Sequence, residues 1–110
     1  MPFERLANDL AVAEHRAHVL KALGNPVRLR IAAQLADAKE LSVGELCKAL
    51  DLPQARVSQA LGTLRLMGIV APRREGNFHF YSLAMPHLED LLFCLSRSCD
   101  VADSKIRQAR

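Results

Sequence analysis

Apolar residues recur every three or four positions over most of the chain, and where that spacing lapses the sequence shows why. Leu6, Leu10, Ala13, Ala17 and Leu20 make one seam, with Val12, Val19 and Leu23 as a stripe beside it. Residues 1–23 therefore predict one amphipathic helix with two apolar faces. In GNPVRLRIAAQLAD, Gly24 can stop that helix, Asn25 can cap the next and Pro26 suits its first turn. Val27, Ile31 and Leu35 then form an inward stripe. Residues 43–67 predict a short helix carrying Val43, Leu46, Cys47 and Leu50, a tight DLP break, and a second helix with Val57, Leu61 and Leu64 turned inward. That is a helix-turn-helix pattern, and it leaves Gln54, Arg56, Gln59 and Thr63 facing outward. Over 69–83 the period changes: IVAPRRE and FHFYSLA are rich in β-branched and aromatic residues and are joined by Gly76-Asn77, which predicts a hairpin. Over 86–99 a last helix is expected, with Leu88, Leu91, Leu92 and Leu95 on one face.

The expected fold is mainly α with a small β-hairpin, a winged helix-turn-helix in a single domain spanning 1–110, with no linker or internal repeat to divide it. At 110 residues, half of them hydrophobic and a quarter charged, the composition is globular, and a chain of this size gains from pairing with a second copy. No run approaches the ~20 apolar residues of a membrane span, and MPFERLANDL carries acids where a secretory signal is basic and then apolar. A cytoplasmic protein without a membrane partner is expected. The three cysteines, an odd count, are then expected as thiols rather than as a disulfide framework.

Charge sharpens the functional reading. The net charge is +3, and from Pro53 to Asn77 the ionisable residues are Arg56, Arg65, Arg73, Arg74 and a single acid, Glu75. A helix-turn-helix followed by a basic hairpin is an arrangement in which the second helix enters the major groove of double-stranded DNA and the hairpin reaches the neighbouring backbone. Gln54, Arg56, Ser58, Gln59 and Thr63 are the candidates for base edges or phosphates, and Arg73 and Arg74 for phosphate. A winged-helix protein–protein interaction module without effector sensing is the alternative, and acids in place of Arg56, Arg73 and Arg74 would favour it. An enzyme is not expected: there is no Cys-x-x-Cys, phosphate-binding glycine loop or paired-carboxylate pocket, and no Cys-His-acid set can be assembled from His79 or His87.

Three stretches, VLKALGNPVRLRIAAQL, SVGELCKALDLPQARVSQALGTLRLMGIV and RREGNFHFYSL, together resemble the ArsR/SmtB family of small homodimeric bacterial transcriptional repressors over nearly the whole chain. The resemblance implies a winged helix whose first and last helices, 1–23 and 86–99, make the dimer interface, and an inducer that weakens operator binding. Two positions depart from the family pattern. Pro53 stands where Ser or Thr is common, and Ala60 follows SQ where His is usual, so operator preference does not carry over. Pro53 also lacks a capping hydroxyl, leaving the first amides of the reading helix to find another acceptor.

The family places sensor ligands at several unrelated positions, and this chain keeps only parts of them. The arsenic-type Cys-x-Cys is absent: ELSVGELC has Ser42 and Gly44 at the cysteine positions, and the remaining Cys47 lies on an inward face, where it is read as packing. The zinc-type site is represented by His87 and Asp90 without a later histidine. His15 and His18, three apart beside Glu14, can in principle share a metal ion but read more simply as surface residues. Cys94 and Cys99, in LLFCLSRSC, are the leading effector candidates. In a continuous helix, five steps separate two side chains by about 140° beyond a full turn, so these sulfurs meet only if the SRSCDVADS segment frays or if they act across a dimer axis. No cofactor is required. As(III), Sb(III) or a soft metal ion is the expected effector on one reading, and a reactive sulfur species or oxidant on another.

Overall fold

Helix boundaries in this chain are set by short polar side chains that accept the first backbone amides. The computed structural model, which describes residues 2–85 and 87–97, has helices α1 (Glu4–Asn8), α2 (Leu10–Leu23), α3 (Pro26–Ala38), α4 (Val43–Leu50) and α5 (Gln54–Leu66), then α6 over 88–97. Asn25 Oδ1 accepts from the amides of Val27 (3.0 Å) and Arg28 (3.1 Å) at the start of α3. Ser42 and Glu45 form a reciprocal capping box on α4. Gly24 follows the last turn of α2, where a Cβ would lie a tight 3.3 Å from the carbonyl oxygens of Leu20 and Lys21.

The opening segment differs from the single helix expected over 1–23. It breaks at Asp9, whose side chain accepts from the amide of Val12 and caps α2. The Leu6–Leu10 step is therefore not one helical seam. The second stripe faces inward instead: Val19, Ala22 and Leu23 are buried, whereas Leu10 and Leu20 are 73% and 57% exposed.

The wing is larger than the expected hairpin. Strands β1 (Glu40–Ser42), β2 (Val70–Glu75) and β3 (Phe78–Leu83) form an antiparallel sheet in the order β1-β3-β2. Glu40 pairs with Ser82 and Ser42 with Phe80 on one side of β3; Arg73 pairs with Phe80 and Arg74 with His79 on the other. The β2–β3 loop is Gly76-Asn77 as expected, with Gly76 at φ 59°, a left-handed value that a hairpin loop's first central residue needs glycine to adopt. β1 has no length in which a period of two can show, and it exists through its pairing with β3.

One apolar core joins these parts. Ile31, Leu35, Leu46, Val57, Leu61, Leu64 and Ile69 are fully enclosed, and among the described residues no polar or charged side chain is buried. Leu88 and Leu92 of α6 belong to this core, so only part of the leucine face assigned from the sequence is left for another subunit. Among the described residues no helix is long and apolar enough to cross a membrane.

Candidate nucleic-acid interface

The core fixes the orientation of α5. Burial of Val57, Ala60, Leu61 and Leu64 rotates Gln54, Arg56, Ser58 and Gln59 into solvent, with Thr63 at the margin. The helix carries Arg56 and Arg65 and no acid. Among the described residues the Arg56 side chain makes no hydrogen bond or ion pair. The Thr63 hydroxyl donates to the carbonyl of Gln59 at 3.4 Å, so its oxygen remains available to accept. Pro53 provides no side-chain cap, in line with the expectation for that position. All five residues lie outside the buried stripe of α5, with Arg56, Gln59 and Thr63 together on the flank nearest α3, where base edges and phosphates can be met.

The two wing arginines do different things. Arg73 Nε and Nη2 donate to the Glu40 carboxylate at 3.0 and 2.7 Å, and Nη1 donates to Glu75 at 2.8 Å. The Arg73 guanidinium lies 4.8 Å from the centre of the Phe80 ring, so it crosses β3 and ties β2 to β1. The hydrogen bonds from Arg73 hold the Glu40 carboxyl below its usual range, against a smaller opposing effect of desolvation. Arg74 donates only to the carbonyl of Gly76 among the described residues, leaving its charge uncompensated at the tip. Glu40 was not a sequence candidate. It lies 33 residues before Arg73, and no local pattern links the two.

Among the described residues the effector candidates are dispersed. Cys94 is exposed on α6, and Cys99 lies outside the described residues. Cys47 is half-buried against the core, where the sequence placed it. His15 and His18 are exposed on α2, and the His15 ring contacts the Arg16 guanidinium. His87 Nδ1 lies 3.7 Å from Asp90 at the start of α6. Among the described residues no group of three or more His, Cys, Asp or Glu is placed to hold a metal ion.

An acid-free second helix in a helix-turn-helix core, beside a three-stranded wing, defines a winged-helix DNA-binding regulator. Comparison with known proteins makes the assignment more specific. The domain described as bacterial regulatory protein, arsR family, matches residues 25–71. The transcriptional activator HlyU of Vibrio cholerae is 42% identical over 79 residues, covering 72% of this chain and 72% of its own. A solved HlyU structure superposes with a TM-score of 0.74 at 38% identity, covering 80% of this chain and 96% of that one. The biofilm growth-associated repressor of Agrobacterium fabrum is 46% identical over 81 residues, 74% of this chain and 63% of its own length. The homodimeric winged helix-turn-helix DNA-binding domain of Mb0332 from Mycobacterium bovis matches with a TM-score of 0.72 at 31% identity, covering 94% of this chain and 90% of that one. The chain belongs to the ArsR family of transcriptional regulators, which are not enzymes.

Proposed function

We propose that the protein is a homodimeric cytoplasmic repressor that binds a short inverted-repeat operator and is released by a thiol-reactive effector. The observation that carries the DNA-binding part is the outward face of α5, where Gln54, Arg56, Ser58, Gln59 and Thr63 are presented with no acid on the helix. In this reading α5 enters the major groove and the wing tip, through Arg74, meets the adjacent backbone. Two copies are needed to read a repeat. The surface suited to pairing is an apolar groove between the first and last helices, bordered by Leu6, Val12, Leu20, Leu88 and Leu91. Exposed Phe93 and Leu95 add apolar surface elsewhere on α6, beside α3.

Repression and release follow from the same geometry. A dimer on an operator blocks other proteins from that DNA, and in this reading an effector that shifts the α2–α6 surface changes the spacing of the two α5 helices. A coupling of about 1–3 kcal/mol is enough to change operator affinity 5- to 150-fold. Exposure of Cys94 on α6 supports a thiol site there, with Cys99 as its second thiol. The effector is arsenite, antimonite or a soft metal ion held by thiolates, or a reactive sulfur species or oxidant that joins them.

Two measurements test the proposal. Binding to promoter DNA carrying an inverted repeat should exceed binding to random DNA and fall steeply with salt, by about 0.9 log units per log unit of salt for each phosphate contacted. Equal affinity for both DNAs, or a flat salt response, overturns the DNA-binding part. Titration of the complex with arsenite, cadmium and a persulfide donor should release the wild type with at least one of them. Unchanged release in the Cys94→Ser/Cys99→Ser variant overturns the effector part.

A further inference from the structure

A polar cleft of ≈ 220 Å³ opens between the first turn of α3 and the flank of α5, with Asn25 and Arg28 on one wall and Arg56, Gln59 and Thr63 on the other. Two cationic side chains from separate helices line it, and none of its lining residues is acidic. Arg28 is fixed in place because its Nε donates to the carbonyl of Ala22 at 2.6 Å. That anchors the planar guanidinium at the cleft wall before any ligand arrives, so little side-chain freedom is lost on binding. Arg56, on the facing wall, has no side-chain partner among the described residues. The α3 amides nearest the cleft, those of Val27 and Arg28, are already taken by Asn25. What the cleft offers is therefore guanidinium charge, with the Gln59 and Thr63 side chains beside it.

Two like charges gathered in one cleft without a counter-charge favour an anion between them. Gln59 and Thr63 belong both to the cleft and to the outward face of α5, so an anion held here lies beside any duplex that α5 reads. We infer that the Arg28–Arg56 cleft is a subsite for one DNA backbone phosphate per half-site, flanking the bases met by α5. The inference rests on the DNA-binding reading above and adds Arg28, from outside the helix-turn-helix, as a register-fixing contact. A guanidinium suits it because two parallel N–H groups meet two phosphate oxygens.

The test is a scan of operator duplexes, each with one phosphate replaced by a neutral methylphosphonate, measured by fluorescence anisotropy. The wild type should lose about tenfold or more at one phosphate in each half-site, the loss expected when a charge-assisted hydrogen bond is removed. Arg28→Gln should bind native DNA more weakly, lose less than the wild type at that phosphate because only Arg56 still faces it, and lose as much as the wild type at the others. Its log–log salt slope should be smaller by about two for a dimer, and Arg28→Lys should restore the slope. Thermal melting identifies an Arg28→Gln protein that fails to fold; in that case Arg56→Gln, whose side chain holds no other element, must show the same reduced loss at the same phosphate. An undiminished loss at that phosphate in the variants, or an unchanged salt slope, overturns the inference while leaving DNA binding intact. Protection of the wild type by inorganic phosphate, without coupling to any DNA phosphate, assigns the cleft to a free anion and likewise overturns it. If the wild type binds no duplex, the DNA-binding reading itself has failed.

Discussion

Asn25 lets stability and DNA affinity be separated at one position. Its Oδ1 accepts from two amides, at 3.0 and 3.1 Å, at a half-buried helix start, where water replaces a lost acceptor poorly. Asn25→Ala should cost about 1 to 2 kcal/mol, a fall in Tm on the order of 5 to 10 °C for a domain of this size. Asn25→Asp keeps the acceptor and adds a negative charge at the positive end of α3, so its stability should stay within about 0.5 kcal/mol of wild type or exceed it. That new carboxylate, however, joins Arg28 and Arg56 on the cleft wall and opposes a phosphate there. Its operator affinity should drop about tenfold, as for a lost charged hydrogen bond. The assay is urea and thermal unfolding at one fixed protein concentration, since pairing makes Tm depend on it, followed by anisotropy on operator DNA. The capping argument fails if Asn25→Ala melts with the wild type. The cleft argument fails if Asn25→Asp binds the operator as tightly as Asn25 does.

Other perturbations test other parts of the molecule. Leu64→Ala empties a fully buried site and should destabilise by about 2 to 5 kcal/mol in urea unfolding; a loss under 1 kcal/mol would show that the core there is loose. Gly62 sits within α5 with nothing within 4 Å of a Cβ built on it, so Gly62→Ala should raise stability by about 0.5 to 1 kcal/mol, and a lower Tm would contradict this. Because Arg73 lowers the folded-state pKa of Glu40, that pair stabilises the fold above the ordinary carboxylate range and stops doing so as pH falls through the lowered value. The difference between wild type and Glu40→Gln should therefore vanish in acid. An NMR titration of Glu40 should move upward in Arg73→Gln, and an unmoved titration would refute the link. Leu20→Glu places a charge on the exposed α2 face and should shift sedimentation toward monomer with a parallel loss of operator affinity; an unchanged dimer would relocate the interface.

Features written in adjacent residues were legible in the sequence. Gly24-Asn25-Pro26 encodes a stop, a cap and a start, and Gly76-Asn77 between two β-prone runs encodes a hairpin; the chemistry in each case is local. The orientation of α5 was legible too, because Val57, Leu61 and Leu64 keep helical spacing under every packing arrangement that buries them. Asp9 was obscured because Leu6 and Leu10 on either side happen to sit four apart, although an Asn-Asp pair before an apolar run is a cap signal. The division of α6 between the core and an outer surface depends on where α3 passes beside it, and no spacing within 88–97 records that. The Glu40–Arg73 contact and the Arg28–Arg56 cleft arise from tertiary packing, so the arginines could be counted in the sequence but not sorted by role.

Ser42 is both the last residue of β1 and the cap of α4, so no connecting segment separates the wing's outer strand from the helix-turn-helix. For anyone recombining parts among regulators, this fixes the transplantable piece. A wing taken as the contiguous stretch 70–83 leaves behind the strand that Arg73 fastens to, and arrives with its basic edge unsupported. The unit that can be exchanged is discontinuous, 40–42 together with 70–83, and a chimera made along that boundary keeps the Glu40 clamp while it changes the tip that carries Arg74.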